Sequence, residues 1–285
     1  MKSVVLITGG GTGIGSALAK LLSSKYQVKV LIVGRTLITL KQTAGYNNNI
    51  EYINADITNK KEINKIFNRI LNKKYKIKYL VNNAAIQNLS LLENVTNNMF
   101  ENSFNTNVKA PLVLVARMLK KNIFEENARV LMIDSSSRYN VQKGMGLYAM
   151  TKSALFTLHK VMRKEYSGRL LVNSIYPGMI AGTNTSKNMK ETNIPEIIEL
   201  QKNLKQYLHN NKQIRILSPE ESAEFIAWVL CDTDDYQFAF PEKMFIQNSK
   251  PISIDEWDIR DSECYIGCKL IAGTKQRQLA IFMGG

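Results

Sequence analysis

Residues 3–26 read SVVLITGGGTGIGSALAKLLSSKY. A short apolar, β-branched run comes first, then five glycines within 9–15, then a segment rich in Ala, Leu and Lys. Apolar residues without alternation suit a strand covered on both faces. Glycine allows a sharp turn, and the last segment has helix-forming residues. The stretch is therefore a strand, a tight turn and a helix. The same order recurs. Strand-like runs occupy 3–8, 28–33, 50–53, 77–82, 128–134, 169–176 and 243–247, and helix-length segments occupy 13–26, 59–75, 98–121 and 147–166. This alternation with short connections predicts the α/β class: a doubly wound parallel sheet, in a single domain with a C-terminal extension.

The domain is expected over 1–248 and the extension over 249–285. Residues 184–216 interrupt the alternation with a polar segment holding one amphipathic helix near 195–208. In the extension, YIGCKLIAG and RQLAIFM read as an extra strand or hairpin, packed at a subunit interface or over the neighbouring subunit's active site, or else as an added edge of the same subunit.

Composition narrows the function classes. The chain has 285 residues, 45% hydrophobic and 22% charged, as in an ordinary globular protein. Its net charge of +14 comes from Lys clusters scattered along the chain, with no basic arm. Solvated faces explain this better than nucleic-acid binding, although a positive field favours anionic ligands. Three Cys and two His stand at no metal-ligand spacing, so neither a metal nor a disulfide framework is expected. The apolar start is too short for a signal peptide, and no run approaches a membrane span. A cytoplasmic protein is expected, with a small-molecule substrate and neither membrane nor nucleic acid as partner.

The glycine turn opens a helix, and helix N–H groups there suit a diphosphate. GxSxG and GxxxxGK[ST] motifs are both absent, which argues against a serine hydrolase and a P-loop ATPase. YAMTK, Tyr148 to Lys152, places a phenol and an amine one helical turn apart, on one face.

Several motifs in order resemble the short-chain dehydrogenases/reductases, in their compact branch, over residues 3–247. TGGGTGIG (8–15) resembles TGxxxGIG, and Asn82-Asn83-Ala84-Ala85 resembles NNAG. Asp56-Ile57 stands where that family has an Asp near adenine, and Asn107 stands at its helix Asn. DSSS (134–137) ends the fifth strand, where the family carries its Ser, and Tyr148–Lys152 matches YxxxK. YPGMI (176–180) is similar to the PG loop, SPEESAEFIAWVL (218–230) to a late helix, and residues 184–216 stand where the family has its substrate lid.

The resemblance implies a Rossmann-type fold and an oxidoreductase interconverting a carbonyl and an alcohol on a small or anionic substrate. Asn107, Ser135, Tyr148 and Lys152 would be the catalytic set. Tyr148 would give or take the proton, Lys152 would lower the phenol pKa and hold the nicotinamide ribose, Ser135 would bond the substrate oxygen, and Asn107 would hold a water. Cofactor binding would fall to Gly9, Thr12, Gly13, Ile14 and Gly15 in the turn, then Arg35, Asp56, Ile57, Asn83 and Ala84. Tyr148, Lys152, Pro177, Gly178 and Ile180 would complete it. Arg35, after the second strand, suits a 2′-phosphate, so NADP(H) is preferred and NAD(H) is possible. A homodimer or homotetramer is the family's usual assembly.

Ser136 rivals Ser135, and Asn105 rivals Asn107. Tyr139 is either packing or a pocket wall, and His159 is read as structural. Ala85 replaces the Gly of NNAG, and Thr183 falls one place later than the Thr after PG. A cofactor-binding regulator or assembly protein without turnover, or a dehydratase or isomerase on the same site, remains the alternative.

Overall fold

Val4 and Leu6 pack on one side of the first strand, and Val5 and Ile7 on the other. Both sides are apolar because both are covered. The computed structural model describes residues 2–177, 180–210 and 216–231, and the backbone of 246–247, 250–251, 266–272 and 275–281. The strands are β1 (Lys2–Thr8), β2 (Val30–Gly34), β3 (Ile50–Asn54), β4 (Tyr75–Asn82), β5 (Phe124–Ile133) and β6 (Leu170–Ile175). They form one parallel sheet in the order β3-β2-β1-β4-β5-β6.

The helices are α1 (Gly13–Ser24), α2 (Leu37–Ala44), α3 (Lys60–Asn72), α4 (Asn97–Phe104), α5 (Ala110–Lys120), α6 (Gly146–Glu165), α7 (Asn184–Lys190), α8 (Pro195–Asn210) and α9 (Pro219–Cys231). One face of the sheet carries α1, α9 and Leu40 of α2. The other carries α3, α5 and α6. Helix α3 shows how the sequence chooses its face. Ile63, Ile66, Phe67 and Ile70 are buried at helical spacing, and the Asn59 side chain caps the N–H groups of Lys61 and Glu62.

The strand order reverses between β1 and β4. Chain leaving β1 turns one way and chain leaving β4 the other, so a crevice opens at their carboxyl ends. That crevice positions the site.

Three local features differ from expectation. Helix α2 was not anticipated: LITLKQTA buries only Leu40 and Thr43 and is rich in β-branched residues. The segment read as one helix over 98–121 contains a π turn at Asn105–Lys109 between α4 and α5. Pro111 has no N–H to give to the Asn107 carbonyl, so the α-helical ladder cannot close there. Of the strand expected at 243–247, the described part, Ile246–Gln247, pairs outside the parallel sheet. Residues 243–245 lie outside the described residues, and β7 (Ile246–Gln247) pairs antiparallel with β8 (Lys250–Pro251). In the extension, β9 (Ile266–Ala272) and β10 (Lys275–Ile281) form an antiparallel hairpin.

Candidate active site

The site begins at a joint between the ends of β1 and β4. Thr8 Oγ1 accepts the backbone N–H groups of Asn83 and Ala84, both at 3.1 Å. Asn83 Nδ2 donates back to the carbonyls of Thr8, at 2.9 Å, and Gly9, at 3.2 Å. The two loops are thereby tied where the sheet parts. Asn83 serves first as this tie, while its side of the loop also faces the groove.

The glycines have distinct duties. Gly9 has a left-handed backbone, with φ of +68°. A Cβ on Gly15 would meet the Gly9 carbonyl oxygen at 2.4 Å, so α1 can approach the turn only with Gly there. Gly15 therefore lies behind the turn, while Gly9, Thr12, Gly13 and Ile14 face the groove. Helix α1 has no acidic residue in its first turn, and Thr12 makes no side-chain cap. Its N-terminal N–H groups and dipole are left for an anion. This cradle fits a dinucleotide diphosphate.

The groove is about 300 Å³ and runs along the carboxyl ends of the strands. Arg35, Asp56 and Ile57 lie at one end, with Arg35 Nη1 4.0 Å from Asp56 Oδ2. Ser135, Tyr148 and Lys152 lie at the other, with Pro177 and Ile180 on the wall. Gly178 is outside the described residues. Ala84 lines the middle, and Ala85 has no left-handed backbone, so a side chain there carries no strain.

At the reactive end, Lys152 is buried and its Nζ donates to the Ile133 carbonyl at 2.7 Å. The same nitrogen is 5.5 Å from the centre of the Tyr148 ring. Ser135 hydrogen-bonds the Tyr148 side chain. Ser135 faces the groove, and Ser136 and Ser137 do not line it. Ser137 instead donates its N–H to Ser135 Oγ at 3.2 Å, which helps to hold that hydroxyl in place.

Burial pushes the Tyr148 phenol above its ordinary value; the Ser135 bond opposes this, and the Asp134 carboxylate adds to it. Burial also pulls Lys152 down to about 8, against the pull of Asp134. The expected lowering of the phenol by Lys152 is thus not what the protein's own groups produce. Both side chains are out of water, and burial presses each toward its neutral form.

Asn107 lies behind the wall, on the π turn. Its Oδ1 accepts from Ile86 N at 2.9 Å, and its Nδ2 donates to Ile86 O at 2.9 Å and Thr151 Oγ1 at 3.0 Å. Both amide hydrogens are used, so the side chain is a strut between the loop after β4 and α6. Thr106 beside it faces the groove. Tyr139 packs edge-on to Phe156 and Tyr176 and is not part of the groove wall. His159 is buried against Phe156, and burial pulls it down to about 3, so it is neutral and structural.

The family profile described as short chain dehydrogenase matches residues 3–194. The chain belongs to the short-chain dehydrogenase/reductase family. As a member, it is an oxidoreductase acting on CH–OH groups and their carbonyl counterparts, with a nicotinamide dinucleotide. Among its relatives, the 3-oxoacyl-[acyl-carrier-protein] reductase FabG of Buchnera aphidicola subsp. Acyrthosiphon pisum (strain APS) is 28% identical over 238 residues, 82% of this chain and 92% of that protein. Carbonyl reductase family member 4 of Xenopus tropicalis is 25% identical over 231 residues, 81% of this chain and 92% of that protein. In fold, the chain is similar to 4-hydroxyisoleucine dehydrogenase complexed with NADH. That likeness has a TM-score of 0.69 at 21% identity, covering 83% of this chain and 94% of that one.

Part of the groove wall of this short-chain dehydrogenase/reductase is supplied by α7. Gly182, with φ of +69° and open space around it, turns the chain so that Thr183 lies over Gly13. Thr183 Oγ1 then caps α7 by accepting from Ser186 N at 3.2 Å. Asn184, Thr185, Ser186 and Met189 also line the groove, and sequence reasoning did not single them out.

Gly15→Ala is expected to lower dinucleotide affinity at least about 10-fold, since α1 must retreat from the turn. Fluorescence titration with NADPH checks this. Unchanged affinity would show that the close approach of α1 is not needed for binding.

Proposed function

We propose that this oxidoreductase reduces a carbonyl with NADPH, with Tyr148 donating the proton to the carbonyl oxygen. The observation that carries the reading is the buried Tyr148–Lys152 pair, joined to Ser135, at one end of a groove whose other end holds Arg35. The cofactor, when bound, supplies the hydride.

The chain's residues do the rest. Ser135 bonds the substrate oxygen and orients it toward the phenol. Tyr148 holds its proton at neutral pH because its value is raised, which suits a donor. Lys152, fixed on the Ile133 carbonyl, would hold the nicotinamide ribose of a bound cofactor and offset charge developing on the phenolate. Arg35 is exposed and meets Asp56 only at 4.0 Å, so its guanidinium is available to a 2′-phosphate. Thr36 makes no side-chain cap on α2, which leaves that helix N-terminus to the same phosphate.

The substrate side is apolar next to the phenol. Met145, Tyr148, Met189 and Ile197 form one cluster, closed by Leu89, Ile194 and Leu200. This favours a small carbonyl compound with an apolar arm, and an anionic group at the basic surface accords with the net charge of +14. No helix among the described residues is long and apolar enough to cross a membrane. A homodimer or homotetramer through α4, α5 and α6 accords with the exposed Phe100, Leu112, Met150 and Val161 on those helices.

NADPH consumption against a panel of aliphatic and aromatic carbonyls tests the reading. Tyr148→Phe is expected to lose at least about 100-fold in kcat, as for removal of a general acid. For the wild type, kcat/KM for reduction should fall as pH rises through about 8, where Lys152 loses its charge. A Tyr148→Phe variant with full activity would sink the assignment. Separately, Arg35→Ala should raise KM for NADPH by roughly 10- to 100-fold and leave KM for NADH nearly unchanged. Equal effects on both would remove the 2′-phosphate role.

A further inference from the structure

Asn54 is the last residue of β3 and is exposed. It stands opposite Gly34, the last residue of β2, in the parallel register. Its Nδ2 donates to the Gly34 carbonyl at 3.2 Å and to the Arg35 carbonyl at 2.8 Å. An amide nitrogen carries two hydrogens, so both bonds can be made at once. The amide oxygen could make neither, since both neighbours are acceptors. The Gly34 carbonyl also accepts from Ala55 N at 2.9 Å. The chain leaving β2 is therefore held by the end of β3 in two ways, by backbone and by a side chain.

The held segment is the one that carries Arg35. Only Arg35 and Thr36 separate β2 from α2. Arg35, Thr36 and Thr39 all line the groove. Gly34 precedes them, with the backbone freedom of glycine. The Arg35 side chain is 66% exposed and meets Asp56 only at 4.0 Å. Asp56 is engaged elsewhere, its Oδ1 accepting from Thr58 N at 2.8 Å and from Thr58 Oγ1 at 2.7 Å. The guanidinium is thus placed by its own backbone, and the carbonyl of that backbone is held by Asn54. Asn54 does not line the groove, so it acts through what it holds.

We propose that Asn54 is a positioning residue for the 2′-phosphate of NADP(H): it locks the carbonyls of Gly34 and Arg35, and so presents the Arg35 guanidinium at the groove beside the N-terminus of α2. This rests on the reading of Arg35 given above. An exposed guanidinium must be ordered when it takes an anion, and a fixed backbone lowers that cost. The diphosphate end is secured by other contacts, those between Thr8, Gly9 and Asn83. Loss of Asn54 therefore affects the discrimination between two dinucleotides rather than the binding of a diphosphate.

The test is equilibrium binding of NADPH and NADH by isothermal titration calorimetry, without substrate or turnover. The wild type is expected to bind NADPH more tightly. Asn54→Ala is expected to weaken NADPH about 5-fold and to leave NADH within about 2-fold. General damage to the groove would weaken both alike. In an Arg35→Ala background the same substitution should change NADPH affinity by less than about 2-fold, because a residue that acts through Arg35 then has nothing to place. Equal weakening of both dinucleotides, weakening of neither, or an undiminished effect without Arg35 overturns the proposal. Should Asn54→Ala not fold, Asn54→Thr keeps a strand-favouring residue with one hydrogen to give, and carries the same expectation and the same reversal. A wild type with no preference for NADPH removes the reading of Arg35 and the role of Asn54 with it. A preference that survives Asn54→Ala but is lost in Arg35→Ala overturns this proposal alone.

Discussion

The joint between Thr8 and the Asn83-Ala84 backbone is the constraint on which the site depends. Parallel strands that part at a reversal of order leave an open crevice, and an open crevice has no fixed shape. Here a hydroxyl accepting two N–H groups, and an amide returning two bonds, tie the loops after β1 and β4 together. That tie holds Gly9 in its left-handed turn and lets α1 close down on it through Gly15. The orientation of the α1 N-terminus, and so the place for a diphosphate, follows from these contacts.

The other end of the groove is governed by exclusion of water. Tyr148, Lys152 and Asp134 are each buried, and burial pushes each toward its neutral form. The opposing interactions are few and specific: Ser135 on the phenol, Asp134 on the amine, Arg138 and Lys152 on the carboxylate. A phenol that keeps its proton, next to an amine near the edge of losing its own, makes the charge at this end sensitive to pH. Burial therefore ties the fold to the chemistry here: the helix and strand that exclude water also set which groups carry charge.

The sheet was legible because strands covered on both faces must be apolar at every position, as Val4 to Ile7 are. The groove residues were legible because their spacing is tied to strand ends and helix starts. Ser135 could be ranked above Ser136 from its distance to Tyr148 in sequence, and it is Ser135 that lines the groove. Other features depend on contacts between distant segments. Helix α2 has little amphipathic signal and forms where Leu40 finds the core. The π turn has a local signal in Pro111, four residues after Asn107, but an apolar helical pattern runs through it. The sign of the Tyr148 shift could not come from spacing, since burial outweighs the neighbouring amine. Asp134 and Arg138 are one turn apart in sequence, but the three rings that box Arg138 come from separate elements.

The most direct measurement is a crystal structure of the protein with NADPH bound. The account predicts the diphosphate at the α1 N-terminus, the 2′-phosphate at Arg35, and Lys152 Nζ within roughly 2.7–3.2 Å of a nicotinamide ribose hydroxyl. Tyr148 should face the ring on the same side as its substrate space. A dinucleotide bound with its nicotinamide turned away from Tyr148 and Lys152, or seated outside the groove, would contradict it.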